Sequence, residues 1–474
     1  MKRILLASIA LASTVAATAV ARPLTINDVV GFSRVGAPVV SPDGRWLVWQ
    51  QRETDLAANK GRYDLWKLDL ATKGAIPEPL VAEGDVNETS PTFVGDQVYF
   101  QSDKGGKDSI VSIPVAGGAQ TIWAQPEGGF SGFELSPTGD RALIWADRKP
   151  GAPTLVPAEV KRDPNAGSGR TYDQMFVRHW DTWADGNRSQ LFVVPLSKDS
   201  SSSTPLVGKL IGDTPSKPFG GGEEVTWSAD GKTVFFALRE AGRIEPLSTN
   251  LDIFSVPADG SAQPTNLTPD DDGTDTFPTV SPDGKWLAYV SMKRPGYEAD
   301  RLVLKLRNLA TGETRALTEG WDRSVDSIAW SPDSKKIYVT AGDTQEVPAF
   351  EVDPKSGKVT RLTTEGAVSA IVPVKGGLLF SMNSVTSPDD FYLLKGKTNT
   401  RLTTVNATKM AGIDLPKIER FTFTGANNDT VYGYVVKPAQ LEEGKKAPVA
   451  FIVHGGPQGS MNNSWSYRWN PAVF

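Results

Sequence analysis

The amino-acid sequence predicts an all-β seven-bladed β-propeller over residues 22–417, followed by the opening of an α/β domain over residues 418–474. Three observations carry that expectation. A Ser-Pro-Asp-Gly turn recurs, mostly at intervals of 42 to 53 residues, the period of a four-stranded blade. An aromatic and aliphatic run follows each turn, as a sheet sandwiched between neighbours requires. The pattern then changes near Ile418, and an apolar run, Val449–Val453, empties into His454-Gly455-Gly456-Pro457.

At the amino terminus, Lys2 and Arg3 precede an apolar stretch from Ile4 to about Ala17, and Ala19-Val20-Ala21 supplies an A-x-A cleavage pattern. These features predict a signal peptide over residues 1–21, cleaved after Ala21, and a periplasmic or secreted protein. The apolar stretch is too short and too rich in Ala, Ser and Thr for a stable membrane span after cleavage. The chain has no cysteine, so neither disulfides nor a thiolate metal site is available. Its two histidines lie 275 positions apart and make no metal-ligand cluster, and no cofactor is expected. A net charge of −5 without a basic run argues against nucleic acid as a partner. No residue pattern assigns an oligomeric state.

The repeat is clearest at Ser281-Pro282-Asp283-Gly284 and Ser41-Pro42-Asp43-Gly44. Further copies stand at Ser136-Pro137-Thr138-Gly139, Ser228-Ala229-Asp230-Gly231 and Ser331-Pro332-Asp333-Ser334, with weaker ones around Gly95 and Gly376. Proline presets φ, Asp caps its own backbone, and Gly takes the position other side chains resist. Ser136 and Ser228 are 92 residues apart yet enclose only one blade's worth of strands. An insertion in blade 3, about residues 148–188, accounts for the excess. Periodic turns over this length fit a closed ring better than a sandwich, because closure leaves only short edges. After the seventh unit, Ile418–Phe423 and Thr430–Val436 read as a hairpin. Val449–Val453 reads as a buried parallel strand, and a strand entering a His-Gly-Gly loop is how an α/β-hydrolase builds half of an oxyanion hole. No Gly-x-Ser-x-Gly occurs in the 474 residues. The expectation is therefore the truncated start of an α/β-hydrolase domain, with its last 57 residues poorly ordered or aggregation-prone beside a folded propeller.

A signal peptide, seven Ser-Pro-Asp-Gly units, a hairpin and then Val453-His454-Gly455-Gly456-Pro457-Gln458 together resemble the prolyl oligopeptidase family of serine peptidases. The resemblance is strongest to its exported dipeptidyl-peptidase and acylaminoacyl-peptidase branch. It implies a propeller that caps a hydrolase domain and admits only short peptide substrates. It implies main-chain donation from Gly456, beside Gly455, to an oxyanion, with His454 orienting the loop and not acting as base. The nucleophile, acid and base would lie downstream, so this chain alone is expected to be inactive. Ser466 is not a nucleophile candidate, since Ser464 and Arg468 flank it where an elbow needs glycines. On the insertion, the resemblance implies that Glu159 or Asp181 holds a substrate amine while Arg178 positions the peptide and Trp180 supplies an aromatic wall. The competing reading of that segment is a solvated loop with packed tryptophans, and His179 reads as a structural hydrogen-bonding residue. The expected function is a serine-type peptidase acting from the N-terminus, of dipeptidyl-peptidase or acylaminoacyl-peptidase type. The alternative is a periplasmic propeller that binds or scaffolds without catalysis.

Overall fold

The structure, a computed structural model, describes residues 21–157, 165, 167–197, 202–242, 245–456 and 459–474. Residues 1–20 of the expected signal segment lie outside the described residues.

Among the described residues, seven four-stranded antiparallel sheets follow one another along the chain. The first strands of the seven blades are Arg34–Val40, Glu88–Val94, Gly132–Leu135, Val225–Trp227, Asp275–Val280, Ser327–Trp330 and Ala367–Val374. The Ser-Pro-Asp-Gly units are the turns between each first strand and the next. In blade 5, the Ser281 hydroxyl donates to Asp283 at 2.6 Å and accepts from the Trp286 amide at 3.0 Å. Gly284 sits at φ +71°, where a side chain is unfavourable. Blade 6 places Ser334 there at φ +59°, and its hydroxyl accepts from the Asp283 amide of the preceding blade at 3.0 Å. A local turn thus also ties two blades together.

Among the described residues each blade takes its four strands from a single stretch of chain, and no strand is exchanged between the chain ends to close the ring. Packing closes it instead. Trp49 of blade 1 lies 5.1 Å from Phe391 of blade 7, among Leu47, Leu68 and Leu379. Buried Asn406 seals the seam by accepting from the Ser33 amide at 2.8 Å and donating to its carbonyl at 2.9 Å. Arg22–Pro23 also pairs in parallel with Ile413–Asp414.

The turns between first and second strands occupy the lower end of the ring. The loops between second and third strands, and the entries to each first strand, share the upper end. Beyond the ring, Lys417–Thr424 and Thr430–Lys437 form an antiparallel hairpin. Two of the expectations for the tail are corrected. Val449–Val453 is irregular and exposed rather than a strand, because a single apolar run has no neighbouring strand to receive its amides and carbonyls. The last stretch, by contrast, is packed: Trp465 is buried with Leu24, Val29 and Phe32, 5.6 Å from the Phe32 ring. No helix among the described residues is long and apolar enough to cross a membrane.

Candidate functional site

The upper end carries three features that bear on chemistry: the blade 3 insertion, the junction with the hairpin, and the His454 loop. The insertion leaves the sheet after Arg141–Arg148 and returns at Arg188–Pro195, with Arg148 directly opposite Arg188. Both arginines brace it. The buried Arg148 guanidinium donates to the carbonyls of Leu155 at 2.5 Å, Asp147 at 2.9 Å, Glu127 at 3.2 Å and Gly129 at 2.9 Å. Burial pulls its pKa below the usual arginine value. Arg188 grips Glu245 through two bonds, 2.7 and 2.9 Å, and Asp213 through a third at 2.9 Å. The Glu245 carboxylate, ahead of that of Asp213, raises the Arg188 pKa despite its burial.

Within the insertion, Arg178–His179 pairs with Thr182–Trp183, which brings Arg178, Trp180 and Asp181 onto one exposed hairpin. Arg178 stacks over the Trp183 ring at 5.5 Å, so its guanidinium is held along the hairpin. Trp183 in turn stacks on Tyr172 at 6.3 Å, and the Tyr172 hydroxyl donates to the Ala184 carbonyl at 3.0 Å. Asp181 accepts only a 3.4 Å bond from Thr182 among the described residues. His179 packs edge-on against Trp180, 4.7 Å away. Glu159 lies outside the described residues.

The junction centres on a short loop of blade 6, which sequence reasoning did not single out. Glu346, buried, accepts from the Gly366 amide at 2.5 Å and from the Asn463 side chain at 3.1 Å, and pairs with Arg420 of the hairpin. Its neighbour Gln345 donates to the Gly433 carbonyl at 3.0 Å, and its own carbonyl accepts from the Tyr434 hydroxyl and the Asn463 amide, both at 2.7 Å. Burial, and then the nearby Glu346 charge, pushes the Tyr434 hydroxyl up to about 12. From blade 7, Asn383 accepts from the Trp465 amide at 2.8 Å. The ring therefore holds the chain on both sides of the His454 loop. The partners that join the ring to the hairpin and the last residues are 74 to 118 residues apart in sequence, and no local pattern announces them.

The loop itself is open. His454, Gly455 and Gly456 are exposed, and the His454 Nδ1 lies 2.8 Å from the Gly455 carbonyl oxygen. Gly456 takes φ +128°, and a Cβ on Gly455 would meet nothing within 4 Å. Pro457 and Gln458 lie outside the described residues. Ser466 uses its hydroxyl to accept from the amides of Arg468 at 3.2 Å and Trp469 at 2.8 Å, a turn-capping role.

With the geometry in place, comparison with known proteins gives the lineage. The chain is 31% identical over 501 residues to dipeptidyl-peptidase 5 of Trichophyton tonsurans, covering 99% of this chain and 67% of that protein. It is 30% identical over 451 residues to dipeptidyl-peptidase 5 of Porphyromonas gingivalis, covering 93% of this chain and 64% of that one. The chain belongs to the prolyl oligopeptidase family of serine peptidases. It spans about two thirds of the length of these family relatives. Among solved structures, an acylaminoacyl peptidase in complex with Z-Gly-Gly-Phe-chloromethyl ketone superposes with a TM-score of 0.74 at 15% identity, over 94% of this chain and 64% of that one. The β-propeller domain of the Trilobed protease from Pyrococcus furiosus superposes with a TM-score of 0.54 at 11% identity, over 79% of this chain and 99% of that one. At such identities these two neighbours speak for the fold alone, a family propeller. A scan against family models matches none.

Proposed function

We propose that this protein is the propeller-bearing portion of an exported serine peptidase that removes short units from the N-termini of peptides, of dipeptidyl-peptidase or acylaminoacyl-peptidase type. The observation that carries the reading is the match to proteins named dipeptidyl-peptidase 5, which runs through 99% of the chain and so includes the ring, the hairpin and the His454 loop. The ring restricts entry to short peptides. The main-chain N–H of Gly456, beside Gly455, donates to the oxygen that becomes negative when an acyl carbon turns tetrahedral. Glycine suits that position because the substrate carbonyl must approach the backbone closely. His454 orients the loop. The nucleophile, its base and its acid belong to an α/β-hydrolase domain beginning near Ile418 and continuing outside the 474 residues. Asp181, with Arg178 beside it, offers an ammonium partner at the mouth; Glu159, the other candidate for that role, lies outside the described residues.

The test uses the natural full-length gene product on dipeptidyl and N-acyl-aminoacyl p-nitroanilides. Hydrolysis should be inhibited by an active-site phosphonate and lowered in kcat by about 10²–10³ in Gly456→Val. The 474-residue chain alone should take up no phosphonate. A full-length product inert toward both substrate classes would contradict the reading and favour a scaffold.

A further inference from the structure

Between blades 4 and 5, at the lower end of the ring, lies a cleft of about 560 Å³, the size of a small-molecule site. Its floor is apolar. Phe235 from the second strand of blade 4 lies there with Leu267 and Leu309, in one cluster with Leu287 and Tyr289. Its rim is charged, with Asp230 from blade 4 and Asp283 and Arg307 from blade 5. The Ser228 and Ser281 turns meet at one edge, where a Cβ on Gly284 would come within 3.3 Å of the Ala229 methyl.

The three charges differ in what they already hold. Asp283 pairs with Lys285 at 3.5 Å through one oxygen. Its other oxygen accepts from the Ser281 hydroxyl at 2.6 Å and the Lys285 amide at 3.2 Å. Asp230 is fixed in the same manner through one oxygen, by the Ser228 hydroxyl at 2.6 Å and the Lys232 amide at 3.1 Å. It forms no salt bridge among the described residues. Those bonds, the hydroxyl's first, hold its pKa below the usual carboxylate value, so it is ionised at neutral pH. Arg307, half-buried on the third strand of blade 5, donates to the Thr314 hydroxyl at 3.3 Å. It too forms no salt bridge among the described residues. One carboxylate and one guanidinium therefore line an apolar floor with no partner for either charge from the ring. Both sit on turns and strands already fixed by hydrogen bonds, so little ordering accompanies binding.

A ligand that answers both charges must carry an ammonium and a carboxylate, and one that covers the floor must bring an apolar group. We propose that this cleft binds a dipeptide with both ends free and an apolar side chain. Its carboxylate meets the Arg307 fork, its ammonium meets the free oxygen of Asp230, and its side chain covers Phe235, Leu267 and Leu309. The volume leaves room for two residues. The proposal goes beyond the peptidase reading and does not rest on it, because binding here is measured without turnover.

The test is calorimetric titration of the 474-residue chain with Gly-Leu at neutral pH. N-acetyl-Gly-Leu and Gly-Leu amide should each bind about fivefold more weakly, and Gly-Gly about tenfold more weakly. Arg307→Gln should bind Gly-Leu and its amide alike, and Asp230→Asn should bind Gly-Leu and its N-acetyl form alike, with thermal melting unchanged in both. The absence of saturable Gly-Leu binding would overturn the proposal. So would equal binding of the acetylated and amidated forms by the wild-type chain, or Gly-Leu affinity unaltered in both variants. None of these results touches the hydrolysis of anilides by the full-length product, which tests the peptidase reading separately.

Discussion

Leu47, Val48 and Trp49 of blade 1 are fully buried between neighbouring sheets, whereas Val449, Phe451 and Val453, an equally apolar run, stand 89%, 88% and 70% exposed. The difference is not in the residues but in what surrounds them. Each blade finds two flanking blades and a complete set of strand partners within the same stretch of chain. The run before His454 finds none among the described residues. Hydrophobic character makes a segment ready for a sheet, and only neighbours make it a strand. Between these extremes lies the junction, where Glu346 and Gln345 hold the hairpin and the last residues to the ring by polar contacts.

The contrast can be broken most severely at the ring's own seam. Trp49→Ala removes the largest ring between blades 1 and 7, and should lower stability by about 3–5 kcal/mol, read from denaturant melts. Exposure of the Val449 run should not change with it.

A second test sharpens the contrast by pH. Glu88 is buried, with one carboxylate oxygen lacking a partner among the described residues. Burial first, and then the charge of Asp64, pushes its pKa up to about 8 from 4.5. The folded ring therefore keeps a proton that the unfolded chain releases above about pH 4.5. Its contribution is fully present below that pH, is lost as pH rises toward 8, and then levels off. Glu88→Gln should raise stability at pH 8 by about 1–3 kcal/mol and flatten the dependence between pH 5 and 8.

The junction gives a smaller and more local effect. Glu346→Ala leaves Arg420 and Asn463 without their acceptor and should loosen the hairpin and residues 463–473 by about 1–3 kcal/mol. Hydrogen exchange should show the loss there while the blades melt as before. Smallest is Ser281→Ala, which removes two hydrogen bonds from one blade turn, about 1 kcal/mol. A loss many times larger would mean that the turns, not the inter-blade packing, hold the ring.

The ring was legible because its chemistry is local. A hydroxyl, a carboxylate and a left-handed glycine within four residues fix the turns of blades 1, 4 and 5, and even the Ser334 copy can be read. The resemblance that led to the family rested on the order of these parts, and that order proved informative. The strand expected at Val449–Val453 failed because apolarity reports suitability and not the presence of a partner. The expectation of a poorly ordered tail is contradicted at its end: Trp465 and Tyr467 pack, the latter donating to the Ser33 carbonyl at 3.1 Å. Glu346 and Arg307 escaped notice because each acts with residues distant in sequence, and an isolated Glu or Arg carries no period or motif.

Amide hydrogen exchange on this chain distinguishes a self-sufficient ring from the unpaired apolar run beside the His454 loop. Strands such as Trp46–Asp55 and Trp286–Ser291 should exchange slowly, Glu346-anchored residues 463–467 at intermediate rates, and residues 449–456 as fast as an unstructured peptide. Protection of residues 449–456 equal to that of the blades would contradict the account.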